Sequence, residues 1–221
     1  MSEIYTYRTL EALAEGRYAE KGSKFLASVI PVQVMEEVQD ALDTLRVLHP
    51  KARHVCYAWR MLEGGQLVEY STDAGEPGGS AGLPVLNALR SAELINVVAI
   101  VVRYYGGTKL GIPGLIHAYR TAAEEALTQA KIISRTRTVR YRLSMPMALQ
   151  PLFLDACKRM DVPTSGLHYT ERFEVTISCP MPEHEEQLQR LLRLVSQRDF
   201  ASLEEYLTHL GIAMNLNTDT S

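Results

Sequence analysis

Residues 95–111 read INVVAIVVRYYGGTKLG. The part from Ile95 to Tyr105 is almost wholly apolar and β-branched, without the alternation of a half-exposed strand. It therefore reads as a central strand buried on both faces. A glycine-rich loop follows at 106–114. Beyond it Leu115, Ile116, Tyr119, Ala122, Ala123, Ala126 and Leu127 share one side of a helix, with Pro113 in the first turn, where a proline is tolerated.

Working upstream, a short helix is expected over 84–92, and before it the aperiodic stretch 71–82 holds four glycines and a proline in twelve residues. Val55, Tyr57 and Trp59 alternate within 53–61, and Gln66 to Tyr70 follows Gly64-Gly65, so these two strands form a hairpin. Residues 24–32 read as another strand. Over 34–48 apolar side chains fall at Val34, Val38, Ala41, Leu42, Leu45 and Leu48, opposite Glu36, Glu37, Gln39, Asp40 and Asp43. That spacing predicts an amphipathic helix.

Downstream the character changes near 133–138. Val139, Tyr141, Leu143 and Met145 alternate as a strand, 149–160 carries a helical stripe, and 166–170 and 173–179 read as strands. Residues 182–197 form a helix whose acids come first and whose arginines come last, which complements the helix dipole. The order is β-α-β-β-α. A last element at 200–207 would complete a split βαβ unit, although its spacing is nearer helical than alternating. The domains are expected at 1–136 and 137–214, with a flexible polar tail at 215–221.

Composition excludes several classes. The chain has 221 residues, 46% hydrophobic and 22% charged, as in an ordinary globular protein rather than a disordered or collagen-like one. A net charge of −3 excludes a globally basic wrapper, so any polyanion site is a local patch. Cys56, Cys157 and Cys179 are odd in number and show no C-x-x-C pairing, which argues against a disulfide framework or zinc knuckle. The N-terminus lacks the basic-then-apolar order of a signal peptide, and the longest apolar run, 97–102, is far short of a membrane span. A cytoplasmic protein with no membrane partner is the expectation.

Two glycine-rich loops carry the candidate chemistry. Each joins a strand to a helix, where backbone N–H groups and the helix dipole attract an anion. The first, 73–82, holds Asp73 and Glu76, which would serve as an acid–base pair, as ligands of a magnesium ion, or simply as turn and helix caps. Its Gly78-Gly79-Ser80-Ala81-Gly82 matches a nucleophile elbow, but no strand ends just before Ser80. The second, 103–111, places Arg103, Tyr104, Gly106, Gly107, Thr108 and Lys109 together, with no carboxylate between Arg103 and Tyr119. Thr108-Lys109 reverses the Walker A order, which disfavours nucleotide hydrolysis. Phosphate is the expected anion. His54 and His117 show no metal-cluster spacing. Arg135, Arg137, Arg140 and Arg142 form a further basic cluster, in which Arg140 and Arg142 share a strand face opposite Val139 and Tyr141; this is a solvated surface or an RNA-contacting face.

Several stretches together resemble the YigZ/Impact family: residues 21–25 (KGSKF), 52–54 (ARH) with Trp59, 75–77 (GEP), 79–84 (GSAGLP), 102–111 (VRYYGGTKLG) and 117–119 (HAY). The likeness is strong over about 15–130. The second domain is similar to the small C-terminal domain of the bacterial members by element order more than by motif. One position departs: the family shows Asp-Asp-Gly-Glu-Pro where this chain has Asp73-Ala74-Gly75-Glu76-Pro77, which weakens any mechanism that needs two acids there.

The resemblance implies an α+β protein. Its N-terminal α/β sandwich would be like the second domain of a small-subunit ribosomal protein, and its C-terminal domain a ferredoxin-like split βαβ. The same pair of folds stands in the translocation elongation factor, and eukaryotic relatives regulate translation under amino-acid starvation. Three readings follow. The first is a non-enzymatic, translation-associated protein that binds RNA or the ribosome through Lys24, Arg53, Arg103, Lys109 and the 135–142 arginines, with Asp73, Glu76, Tyr104, Gly106, Gly107 and Thr108 shaping the anion site. The second is an enzyme acting on a phosphorylated or nucleotide-like small molecule with Asp73, Glu76, His54 and Lys109. The third is a regulator that recognises a protein partner through Tyr104, Tyr105 and Trp59. No cofactor or metal is called for, and the oligomeric state stays open.

Overall fold

The structure, a computed structural model, describes residues 4–217. The chain divides into two compact units between Arg135 and Thr136. Each has its own hydrophobic cluster. Among the described residues no helix is long and apolar enough to cross a membrane.

The first unit runs β1 (Thr6–Leu10), β2 (Ala14–Glu20), β3 (Ser23–Pro31), α1 (Met35–Leu48), β4 (His54–Glu63), β5 (Gln66–Thr72), α2 (Gly82–Ser91), β6 (Val97–Tyr104), α3 (Gly111–Thr128) and β7 (Ile132–Thr136). Five strands make one sheet in the order β2-β3-β6-β4-β5, and β1 pairs with β7 separately. The 95–105 run becomes the middle strand, antiparallel to both β3 and β4. Its side chains alternate between two cores, and every residue from Val97 to Val102 is buried. Val97, Ala99 and Val101 pack with α2 and α3. Val98 and Ile100 pack with Trp59, Met61 and the Val38, Leu42 and Leu45 stripe of α1. A strand covered on both faces needs no polar side, which is why the sequence shows no alternation.

β1, β2 and β7 escape a sequence reading. In β2 the inward positions are Ala14, Gly16, Tyr18 and Glu20, and only Tyr18 among them is a large apolar side chain that could mark a strand. Gly16 lies so close to α3 that a Cβ would stand 2.2 Å from the Ala126 nitrogen. Only glycine permits that approach.

The second unit runs β8 (Thr138–Pro146), α4 (Gln150–Arg159), β9 (Thr164–Tyr169), β10 (Arg172–Pro180), α5 (His184–Ser196), α6 (Leu203–Leu210) and β11 (Ala213–Asn217). The antiparallel order β11-β8-β10-β9 is the ferredoxin-like split βαβ arrangement. Two expectations are corrected here. Residues 200–207 supply no strand: Ser202 caps α6 by accepting the Glu205 N–H, and the closing strand is β11. Asn215 and Leu216, assigned from sequence to the polar tail, pair instead with Arg142 and Tyr141 of β8, and Asn217 pairs with Arg140. Residues 218–221 of that tail lie outside the described part. The alternate buried residues of β8 and β10 pack on α4 and α5. Arg140, Arg142, Glu174 and Thr176 project from the opposite face of this sheet.

Candidate functional site

The antiparallel order brings the start of β3, the start of β4 and the end of β6 to one edge of the five-stranded sheet. Lys24 lies opposite Tyr104, and both Phe25 and His54 lie opposite Arg103. The second glycine loop leaves this edge for α3. It is fastened to the β2–β3 turn, because Gly106 donates its N–H to Ser23 Oγ at 3.1 Å. A Cβ on Gly106 would stand 1.9 Å from the carbonyl carbon of Gly22, so the two chain segments cross with no room for a side chain.

Two clefts open along the edge. The first, about 890 Å³, is lined by Lys51, Arg53, His54, Glu76, Arg103, Lys109 and the first turn of α3. The second, about 900 Å³, is lined by Arg17, Lys24 and His49 with Tyr18. Tyr104 and Tyr105 line both and form the ridge between them. Glu76 is the one carboxylate among the lining residues of either cleft. The lysines and arginines of the lining are all of the opposite sign, and the α3 N-terminus adds a partial positive charge.

Glu76 is not available to a ligand as a free acid. Its Oε1 accepts from Arg103 at 2.6 Å and from the Tyr119 hydroxyl at 2.8 Å. The Arg103 and Glu76 side chains are only 8% and 4% exposed, so this is an interior ion pair at the cleft wall. The Arg103 guanidinium carbon also lies over the rings of both Phe25 and Tyr105, 5.5 Å from each centroid. Its Nε is buried without a hydrogen-bond partner. Arg103 thus backs the site, while Lys24, Arg53 and Lys109 are exposed at its surface.

Asp73 turns into its own loop. Oδ2 accepts from the Gly79 N–H, and Oδ1 accepts from the N–H groups of Ala81 and Gly82 at the start of α2. Burial works to raise its pKa, but the backbone donors of Gly79, Gly82 and Ala81 outweigh it and hold the carboxyl below its usual range. Of the four side chains expected for an enzyme, His54, Glu76 and Lys109 line the first cleft and Asp73 does not. Asp73 and Glu76, each engaged elsewhere, form no acid–base pair. His54 Nδ1 lies 3.0 Å from the Ala74 carbonyl, which only accepts, so Nδ1 is the donor. Ala74 itself sits at φ 45°, a left-handed conformation that an aspartate tolerates better than an alanine.

Several other polar side chains serve the interior. Ser80 is fully buried and donates to the Pro77 carbonyl at 2.6 Å, as a loop brace rather than an elbow nucleophile. Cys56 lies 3.0 Å from the Asp73 carbonyl, and burial pushes its thiol up to about 12. Tyr119 is raised further, by burial and then by Cys56 and Glu76 beside it. Trp59 is buried beneath Tyr70, while Tyr104 binds His49 through its hydroxyl at 2.8 Å. Gly107 (φ 88°) accepts the Tyr105 hydroxyl at 2.7 Å, and Thr108 is exposed on the same loop.

In the second unit Arg140, Arg142, His168, Thr176 and Asn215 surround a depression of about 540 Å³ on the sheet face. Arg142 pairs with Glu174 at 2.8 Å. Sequence reasoning missed Arg17, His49 and Lys51. Lys51 was visible two residues before Arg53, whereas Arg17 needed β2 to be recognised.

Residues 21–127 match the Impact N-terminal domain. That span contains both glycine loops together with Lys24, Arg53 and Lys109. An IMPACT family member of Haemophilus influenzae is 31% identical over 145 residues, which cover 64% of this chain and 69% of that protein. The chain belongs to the IMPACT family. Another member, YigZ of Escherichia coli, is 36% identical over 125 residues, covering 56% of this chain and 61% of YigZ. The chain thus spans about three-fifths of the length of this IMPACT family relative. In fold, a crystal structure of a hypothetical protein matches with a TM-score of 0.65 at 24% identity, covering 96% of this chain and 97% of that one.

Proposed function

We propose that this IMPACT family protein acts in translation by binding RNA or the ribosome, without catalysing a reaction, and that the paired clefts at the sheet edge are its principal surface. One observation carries the reading. Arg17, Lys24, Lys51, Arg53 and Lys109 line two adjoining clefts whose one carboxylate is neutralised by Arg103. Such a surface attracts a phosphate chain despite the negative net charge. Its tyrosine ridge supplies the apolar contact that RNA-binding sites use. In the second unit, Arg140 and the Glu174-paired Arg142 offer a further basic face. The resemblance to eukaryotic regulators of translation points the same way.

The test is co-sedimentation with ribosomes over a salt series, comparing wild type with Lys24→Ala/Arg53→Ala/Lys109→Ala. Arg103 is kept, because its removal would leave Glu76 buried without its cation. The expected result is association that weakens steeply with salt and is lost in the triple variant. Absence of association at low salt, or association indifferent to salt, would overturn the proposal.

A further inference from the structure

Tyr105 is an exposed aromatic that is nevertheless fixed. It is 56% exposed, yet its hydroxyl donates to the Gly107 carbonyl and one face of its ring rests on the Arg103 guanidinium. Arg103 lies over the buried Phe25 ring as well, and Glu76 holds it by an ion pair. The result is a cluster of Phe25, Arg103 and Tyr105 that is rooted in the core and carries an exposed ring. An aromatic side chain has few torsions to lose, and this one is already ordered, so a planar ligand can stack on it at little entropic cost.

The surroundings say which ligand. Tyr105 stands on the ridge between the two clefts, with Arg17 and Lys24 on one side and Arg53 and Lys109 on the other. Cations on both sides of a stacking platform suit a chain whose phosphates pass along each flank while one base lies on the ring. A duplex keeps its bases inside and cannot offer one. We infer that the ridge takes a splayed base of single-stranded RNA, stacked on Tyr105, with the flanking phosphates in the two clefts. This rests on the proposed RNA-binding function and narrows it to one form of RNA.

The experiment uses the full chain and a short single-stranded RNA carrying 2-aminopurine, whose fluorescence is quenched on stacking. The same sequence annealed to its complement and free adenosine monophosphate serve as competitors. Expected are quenching on binding, preference for the single strand, and weak competition by the mononucleotide. Tyr105→Ala should weaken binding about tenfold and abolish the quench while leaving the salt dependence unchanged, because stacking releases no counterions. Tyr105→Phe, which keeps the ring, should retain the quench. Lys109→Ala should instead reduce the salt slope by about 0.7 for each phosphate it no longer neutralises.

Salt-dependent RNA binding with no quench, with equal affinity for the duplex, or unaffected by Tyr105→Ala would overturn this inference and leave the RNA-binding function standing. Adenosine monophosphate binding as tightly as the strand would also overturn it, since the second cleft would then contribute nothing. No RNA bound at low salt would overturn this inference, and failure to sediment with ribosomes as well would overturn the proposed function too.

Discussion

The two glycine-rich loops look alike in sequence, since each links a strand to a helix with small residues and a few polar ones. In the structure they do opposite things. The 73–82 loop closes around Asp73, whose carboxylate accepts N–H groups from Gly79, Ala81 and Gly82. The 106–110 loop contains no acid; it is held from outside by Ser23 and carries Lys109 at its surface. A glycine loop with an aspartate at its mouth thus supplies its own anion, whereas one without an acid presents its positive potential to solvent.

The strongest test of that contrast concerns the ion pair joining the loops. Arg103→Ala leaves Glu76 buried without its cation and should lower stability by about 3–5 kcal/mol in urea unfolding. Arg103→Met with Glu76→Gln, which removes both charges, should recover much of it. A small loss in the single variant would mean that Glu76 reaches water.

Next is Asp73→Ala, which removes the acceptor of three backbone N–H groups and should cost about 2–3 kcal/mol. Sulfate should then raise the melting temperature of the variant more than that of wild type at equal ionic strength, by filling the vacated anion position. Equal responses would break the comparison. The pH dependence has a fixed sign. The folded carboxyl titrates below its ordinary value of 3.8, so its stabilisation is fully present above that value and is lost as pH falls through the folded pKa. Asp73→Asn should therefore flatten the acid limb of the stability profile below about pH 3.8.

Lys109→Ala, on the open loop, should change stability by less than about 0.5 kcal/mol while weakening ribosome association. The smallest effect belongs to Ala74→Gly, which relieves a left-handed alanine and should stabilise by roughly 0.5–1 kcal/mol. A loss there would show that the Ala74 Cβ has a role beyond its backbone.

Local patterns were legible where large side chains carry them. The β6 run, the α1 stripe and the β8 alternation each place apolar bulk at a fixed period, so the central strand, the covering helix and the split βαβ order could be read directly. β2 was not legible because Ala14 and Gly16 hide its inward face, and Arg17 went with it. Arg103 was recognised as a cation but not as a buried one. Its partner Glu76 lies 27 positions away, and only the fold brings them together. The element after 200 failed for another reason: the Ser202 cap and helical spacing were present, but the expectation of a fourth strand took precedence until β11 appeared ten residues later.

The placement of Lys24 and Arg53 on either side of Tyr104 has a metric consequence. Lys24 stands on β3 and Arg53 directly before β4, the two neighbours of β6. Their backbones are therefore two inter-strand steps apart, about 10 Å. Main-chain hydrogen bonds fix that interval, and side-chain packing does not. The edge behaves as a ruler: core substitutions make the protein easier to melt without altering the spacing of these two backbone positions.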